Sequence, residues 1–488
     1  MGEGLFLGEV LAMESTPKLS RDEFIKQMRE KTEAMLGQVA DAINEAPPGQ
    51  VISGSEEQVR DLFADLRQQA FETGLQMRVN AAEAAFPPPK DPTTGKTQRN
   101  KGRQDFTVLT INGRVRLWRR RWHSPGEGTS TPLDSWLDTV EGTISLGVRE
   151  MACRLNGDGK NFDKAAVNLA RTAQIKLSGE TLRVLVEAEG KRVLEAQRSG
   201  RLAVDWSAAD CRVDPKAKTS PTRVYLGSDG VMVPLVTDAE KTSRRQKIKE
   251  KRRKQGKKAR PLPPKKAGAD QGYKEFKIVA FYDETQDHRL VSGTRGDCAA
   301  AGRLMRREAA RIQFDRAAEK VGNVDGSPWI RNQIERQSLP LDDLGLDFYH
   351  LGENVHKARR AIYGEDQAGK EWAGDLLHRF KHDGYETTWR KLLEWRISLR
   401  RAGRKAADRL LNYVSERREM IKYPAFGAKG WQIGSGPTEA TCKTLTARLK
   451  GSGMRWDAPN AEALMALEAL TQSGQWAGYW KSQLRPTG

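Results

Sequence analysis

Two aspartates stand beside a glycine at the end of β-rich runs, Asp229 in GSDGVMVP and Asp325 in NVDGSPWI, and a third acid, Glu439, follows Gly436 by three residues in GSGPTEATCK. Proline is tolerated at the first helical position, so Gly436 and Pro437 predict a helix start with Glu439 in its first turn. Three converging carboxylates repel one another unless a cation joins them, which points to a hard metal. Two Mg²⁺ (or Mn²⁺) ions about 4 Å apart in such a site activate a water or a 3′ hydroxyl and stabilise the leaving oxygen of a phosphodiester. A single Asp-Gly after a strand is usually only a turn; the order and context of the three acids carry the reading. For the second position Asp347 in LGLDFYHL competes with Asp325. Asp325 is favoured because a helix-like stretch follows its turn, which places the carboxylate at a strand's C-terminal end. Asp347, between Leu346 and Phe348, reads as a strand-interior residue or as a group behind the metal ligands, and His350 goes with it.

The elements that must position these acids follow from the apolar pattern. The runs Arg223–Val236, Glu275–Glu284 and Arg289–Gly296 are β-branched or aromatic with turn residues between them, which predicts a three-stranded antiparallel meander. Helices and strands then alternate, with a long helical stretch over 355–426, so the region 220–475 reads as α/β around a mixed sheet, with 476–488 as a tail. Upstream, helical spacing over 20–45 and 55–86 predicts an N-terminal helical region. The proline-rich 87–104 reads as a linker, and Asn112-Gly113 supplies the turn of a β-hairpin within 105–131. Residues 132–205 return to helices, of which NFDKAAVNLARTAQ and LSGETLRVLVEAEGKRV resemble a helix-turn-helix, with Thr181 and Arg183 near the start of the reading helix.

The formal charge of +19 over 488 residues names a polyanion as the natural partner. Residues 241–266 hold fourteen Lys or Arg against the single acid Glu250, and such a block repels itself, so 237–272 reads as a disordered or loosely helical excursion that meets phosphates, with Lys251, Arg252 and Arg253 at its centre. Arg448, Lys450 and Arg455 are further candidates for the DNA backbone. Lys443, four residues after Glu439, either pairs with that acid or holds the scissile phosphate. The four cysteines form no CxxC pair, and no run approaches 18 apolar residues, so neither a disulfide framework nor a membrane span is expected.

The linked pieces SDGVMVP, VDGSPWI, LDFYHLGENV, IGSGPTEATCK and RLKGSGMRW resemble the DDE transposases of bacterial insertion sequences, in particular the ISKra-type group, and at longer range the Mutator and hAT superfamilies. The resemblance spans roughly 220–475. It implies an RNase H-like catalytic core with an all-helical insertion before the last acid. It also implies metal-dependent cleavage and transfer of double-stranded DNA, with catalytic and metal-binding roles for Asp229, Asp325 and Glu439. A dimer or higher oligomer on two element ends and a cytoplasmic, nucleoid-associated location come with it. Members of the group often carry a cysteine-bearing ribbon near the hairpin, and this chain has no cysteine at 105–123. The rival expectations are a DNA-binding regulator and a structure-specific nuclease.

Overall fold

A computed structural model describes residues 18–91, 93–126, 128–139, 142–217, 219–256 and 261–484. The chain is mixed α/β and divides into two compact units, 1–186 and 187–488.

The first unit opens on two helices, α1 (Arg21–Asn44) and α2 (Val51–Ala85). Ser20 caps α1 by accepting from the Glu23 N–H, and the chain reverses through Pro47, Pro48 and Gly49, whose φ of 85° suits only glycine well. Strands β1 (Arg99–Thr110) and β2 (Gly113–Ser124) pair antiparallel around the expected turn, and β3 (Gly128–Ser130) adds to β2. The segment 87–104 is therefore only in part a linker, since Arg99 pairs with His123 and Asn100 with Trp122. Its polar residues hide a strand that draws its stability from the partner rather than from apolar alternation.

Helix α2 finishes the sheet in an unusual way. Gln68 donates to the Arg114 carbonyl, Glu72 accepts from the Arg116 N–H, and Gln76 accepts from the Trp118 N–H. Four residues along a helix advance about 6 Å and two along a strand about 6.8 Å. The side chains thus stand in for a neighbouring strand and blunt an edge that would otherwise invite pairing. After α3 (Leu133–Trp136) come α4 (Leu146–Asp158), α5 (Phe162–Ala173) and α6 (Gly179–Arg198), the last beginning in one unit and ending in the other. Gln174, left-handed at φ 57°, ends α5, and Ile175 is buried in the turn before α6.

The second unit is built on a five-stranded sheet. Strands β4 (Arg223–Pro234), β5 (Tyr273–Asp283) and β6 (Arg289–Thr294) form the predicted meander; β7 (Glu319–Val324) and β8 (Asp343–Leu346) then add parallel to β4 on its other side. The spatial order is β6-β5-β4-β7-β8. Val224, Leu226, Val279, Phe281 and Leu290 form a core with Leu304, Met305, Ile330 and Ile334, contributed by α8 (Cys298–Arg311) and α9 (Pro328–Arg336). The long helical stretch runs through α10 (Phe348–Tyr363), α11 (Gln367–His382), α12 (Gly384–Ser398), α13 (Arg401–Ser415) and the short α14 (Tyr423–Ala428), so it begins seven residues before the predicted position 355. Trp395 stacks on Trp372 and Trp389 on Tyr385 inside it.

Two expectations need correction. Of the two forms expected for the basic block, it takes the helical one as far as Lys254, in α7 (Asp238–Lys254), none of whose residues is buried, so disorder is the part corrected; 257–260 lie outside the described residues. Its start is fixed by a capping box, in which Thr237 and Glu240 satisfy each other's backbone N–H groups. The return strand of chain holds it down through Lys265 to Asp238 and Arg245 to the Pro263 carbonyl. The predicted tail is not a tail as far as Ser482: after α15 (Gly436–Ala447) and α16 (Ala458–Gln472), α17 (Trp476–Ser482) buries Tyr479 and Trp480. Among the described residues no helix is long and apolar enough to cross a membrane.

Candidate active site

The parallel half of the sheet puts three aspartates on one level. Leu226 pairs with Gly322 in β7, and Val324 pairs with Leu346 in β8. Carrying each register a few residues on sets Asp229 beside Asp325 and Asp325 beside Asp347. Residues paired across a sheet project from the same face, and neighbouring strands are about 4.8 Å apart. Asp325 is thus one strand from Asp229 and Asp347 is two. Asp229 is half-buried inside β4, whereas Asp325 leaves the end of β7 before Gly326 turns the chain at φ 79° into α9. Burial, helped by the charge of Asp325, pushes the Asp229 carboxyl up, while the Gly230 N–H at 2.6 Å opposes it.

Helix α15 brings the third acid to the same face. Its Thr438 lies over Gly227 of β4, where a β-carbon would come within 2.9 Å of the threonine Cβ. One turn on, the buried Cys442 thiol bonds to Asp229. Glycine at 227 is what lets the helix approach this closely. Glu439 projects from the turn between those two contacts, half-exposed, with the Lys443 ammonium 3.8 Å away. On a helix surface this i, i+4 pair is weak, so both groups remain available to ligands.

The loop before α15 is clamped to the sheet by residues that nothing in their spacing singles out. Asn323 Nδ2 donates to the carbonyls of Gln432 and Gly434 at 3.1 and 2.9 Å. Arg223, buried between Glu284 and Glu319, donates to the carbonyls of Lys429 and Gly430. The Tyr225 hydroxyl accepts from the Gln432 N–H. Only a folded sheet brings 223 and 323 beside 430, which is why a linear reading misses them.

Asp347 is neither a strand-interior residue nor an open carboxylate. It follows β8 and caps α10: its Oδ1 takes the N–H groups of Tyr349 and Ser435, and its Oδ2 takes the His350 N–H and, at 2.5 Å, His350 Nδ1. A carboxylate has about four acceptor sites, so these bonds use its capacity. Burial alone would push the Asp347 carboxyl up, but the His350 ring and the Ser435 amide outweigh it and hold it below the usual range. In return the carboxylate raises the His350 imidazole to about 9. Ligand atoms of Asp347, His350 and Glu439 all lie within 4.8 Å of one another, so the site has metal-binding donors of acidic and imidazole type. Among the described residues Asp325 accepts from the Ser327 N–H and hydroxyl, which leaves lone pairs open. Of the predicted triad, only Glu439 belongs to the cluster with Asp347 and His350; among the described residues Asp229 and Asp325 are not gathered with Glu439 within 4.8 Å, although the charge of Asp325 acts on Asp229.

The remaining candidates fall into two groups. Lys251 and Arg253 are exposed on α7, with Arg252 half-buried beside them, and Lys443 and Lys450 are exposed on and after α15. Arg455 is instead committed: it donates to the Leu235 and Gly272 carbonyls and pairs with Glu240, which ties β4 to the start of α7. Arg448 lies against Trp456 and Met454, and burial lowers its guanidinium to about 10, so the side chain is oriented inward. In the first unit Thr181 is exposed, its N–H held by Ser178, and Arg183 pairs with Glu180. No family model matches this chain, and no curated protein matches it in sequence.

Proposed function

We propose that the chain is a DDE-type DNA transposase whose second unit is an RNase H-like catalytic domain. The observation that carries the reading is the parallel pairing of β4 with β7, which carried past Leu226 and Gly322 brings Asp325 near enough to Asp229 for its charge to act there, with α15 laid across β4 and Glu439 within 4.8 Å of Asp347 and His350. A sheet of three antiparallel strands followed by two parallel ones, in the order β6-β5-β4-β7-β8, is the arrangement expected of that fold. The helices of 348–428 correspond to the insertion that the sequence resemblance leads one to expect before the last acid.

Asp229, Asp325 and Glu439 would hold two Mg²⁺ or Mn²⁺ ions, which when bound supply a nucleophilic oxygen and stabilise the leaving oxygen of the phosphodiester. The chain's own contribution is position. Thr438 over Gly227, and the clamps from Asn323 and Arg223, fix the height of Glu439 above the sheet. Asp347 fixes both the loop at Ser435 and the His350 ring, and that ring, held as a cation, offers a charge to DNA phosphate beside the acids. The exposed basic face of α7 supplies further phosphate contacts, and Thr181 and Arg183 on α6 read the element's ends. DNA strand transfer requires two ends to be held, so the working form is at least a dimer on double-stranded DNA, in a bacterial cytoplasm.

The test is joining of a precut end, taken from inverted repeats sought in the DNA on either side of the coding gene, to a target plasmid in Mg²⁺. Joined product lost in Asp229→Asn supports the transposase; cleavage without joining by the wild type points to a nuclease; and metal-independent binding without either points to a regulator.

A further inference from the structure

We propose that Cys211, Asp283 and His288 form a second metal site, for Zn²⁺ or a similar borderline-soft ion, at the end of the sheet away from the acids. The Cys211 sulfur, a carboxylate oxygen of Asp283 and a ring nitrogen of His288 all lie within 4.8 Å of one another. They come from three separate segments. Cys211 closes the turn Ala208–Asp210, and its carbonyl accepts the Arg223 N–H at the first residue of β4. Asp283 ends β5, and His288 precedes β6. Val224 pairs with Asp283 while Asp229 pairs with Ile278, so the two sites are five strand residues apart, about 16 Å at strand spacing.

The chemistry of the donors selects the ion. A thiolate, an imidazole and one carboxylate suit Zn²⁺ or Co²⁺, whereas Mg²⁺ and Ca²⁺ take oxygens. Cys211 is fully buried and Asp283 is 2% exposed, so neither is a surface group placed by chance. The carboxylate is held in place by Thr285 and by His288 Nδ1 at 2.7 Å, which orients the ring. The His288 side chain, 31% exposed, is the opening through which an ion and a completing water would pass. A Cys-His-Asp nucleophile is the other chemistry these types allow, and the burial of the sulfur rules it out because no substrate could reach it. On binding, the thiol gives up its proton to solvent, and the ion fastens the chain before β4 to the β5–β6 turn.

The experiment uses the full-length, metal-stripped protein titrated with Co²⁺ and then Zn²⁺. Of the Co²⁺ bound, one equivalent should show a thiolate-to-cobalt charge-transfer band, be displaced by Zn²⁺, and behave identically in Asp229→Asn and Glu439→Gln, which separates this site from the active-site acids. Loss of an outer-shell partner costs about 10–100-fold in metal affinity, so loss of a ligand should cost at least about 100-fold. Cys211→Ser should abolish the band while keeping the far-ultraviolet circular dichroism. His288→Gln, which leaves the buried thiol untouched and alters a half-exposed group, should weaken binding by at least about 100-fold even if the serine variant does not fold. No band in the wild type, a band that persists in Cys211→Ser or disappears in Cys442→Ser, or unchanged affinity in His288→Gln would each overturn the proposal.

Discussion

Replacing Gly227 with alanine should cost activity out of proportion to one methyl group. The new Cβ would clash with Thr438 Oγ1 and lie 2.9 Å from Thr438 Cβ and 3.0 Å from Cγ2, against 3.4–4 Å for ordinary contact. Because the threonine Cβ itself is too close, no side-chain rotation relieves the overlap, and α15 must withdraw by about 0.5–1 Å. Overpacking of this kind costs roughly 1–3 kcal/mol, so the variant should fold with a lowered melting temperature. Glu439 moves with the helix, and a 1 Å misplacement of a reacting group costs on the order of 100-fold in rate. Circular-dichroism melting and Mg²⁺-dependent strand cleavage at equal folded fraction measure the two effects. Adding Thr438→Ala should restore part of the rate, because it removes Oγ1 and Cγ2 but leaves the tightest carbon contact. A Gly227→Ala protein with wild-type stability and rate would refute the claim that contact with β4 sets the height of Glu439.

Other expectations can be checked separately. Asp325→Asn should lose cleavage with little change in melting temperature, whereas Asp347→Asn, which turns a fully used acceptor into a partial donor inside a buried cap, should lose stability by about 2–3 kcal/mol. A folded, DNA-binding and inert Asp347→Asn beside an active Asp325→Asn would move the second metal ligand to 347. The Asp347–His350 pair also sets a pH window. His350, raised from 6.5 to about 9, contributes stability that is complete below 6.5 and lost as pH rises through 9. Asp347, depressed from 3.8, contributes stability that is present above 3.8 and lost as pH falls through its lower value. Melting curves of His350→Gln should therefore lack the wild type's decline between neutral pH and 9, and an unaltered decline would assign it to other groups. Alanine at Lys247, Lys249, Lys251, Arg253 and Lys254 should preserve α7, since alanine is the best helix former. It should reduce the salt dependence of DNA binding by up to about 0.9 per lost phosphate contact, and an unchanged slope would make α7 a solvated helix only.

The parts of this molecule that were readable in its sequence are those whose signal is local. Asn112-Gly113 marked a hairpin because only certain residues take its backbone angles, and Gly436-Pro437 marked the start of α15 for the same reason. The strands β4 to β6 were readable because each carries its own apolar pattern. For the basic block, charge composition left disorder and a loose helix both open, and the local signal that points to the helix is the Thr237–Glu240 capping box. The strand at Arg99 and the buried end at Tyr479 and Trp480 had no such signal, since partners far along the chain make them. The same holds at the site. Asp229, Asp325 and Glu439 were singled out by turn and helix-start chemistry, and the cap that Asp347 makes on α10 is local as well, but the hold of Asp347 on Ser435, and Asn323 and Arg223 as clamps on the loop before Glu439, depend on contacts 88, 111 and 207 residues away. The grouping of Cys211 with Asp283 and His288 has no such local signal, since Cys211 is far from the β5–β6 turn in sequence and is brought to it only by the sheet.

The most direct measurement of the central claim is strand joining by matched proteins. Wild type, Asp229→Asn, Asp325→Asn and Glu439→Gln are brought to equal folded fraction and equal binding to DNA that carries inverted repeats found on either side of the coding gene, then given Mg²⁺ or Mn²⁺ and a target plasmid. The wild type should join ends to target in either metal, and each of the three variants should bind normally and join at least about 1,000-fold more slowly, as expected when a group that holds catalytic metal is removed. A wild type that joins no ends in either metal, or any one of the three variants joining at the wild-type rate, would contradict the account.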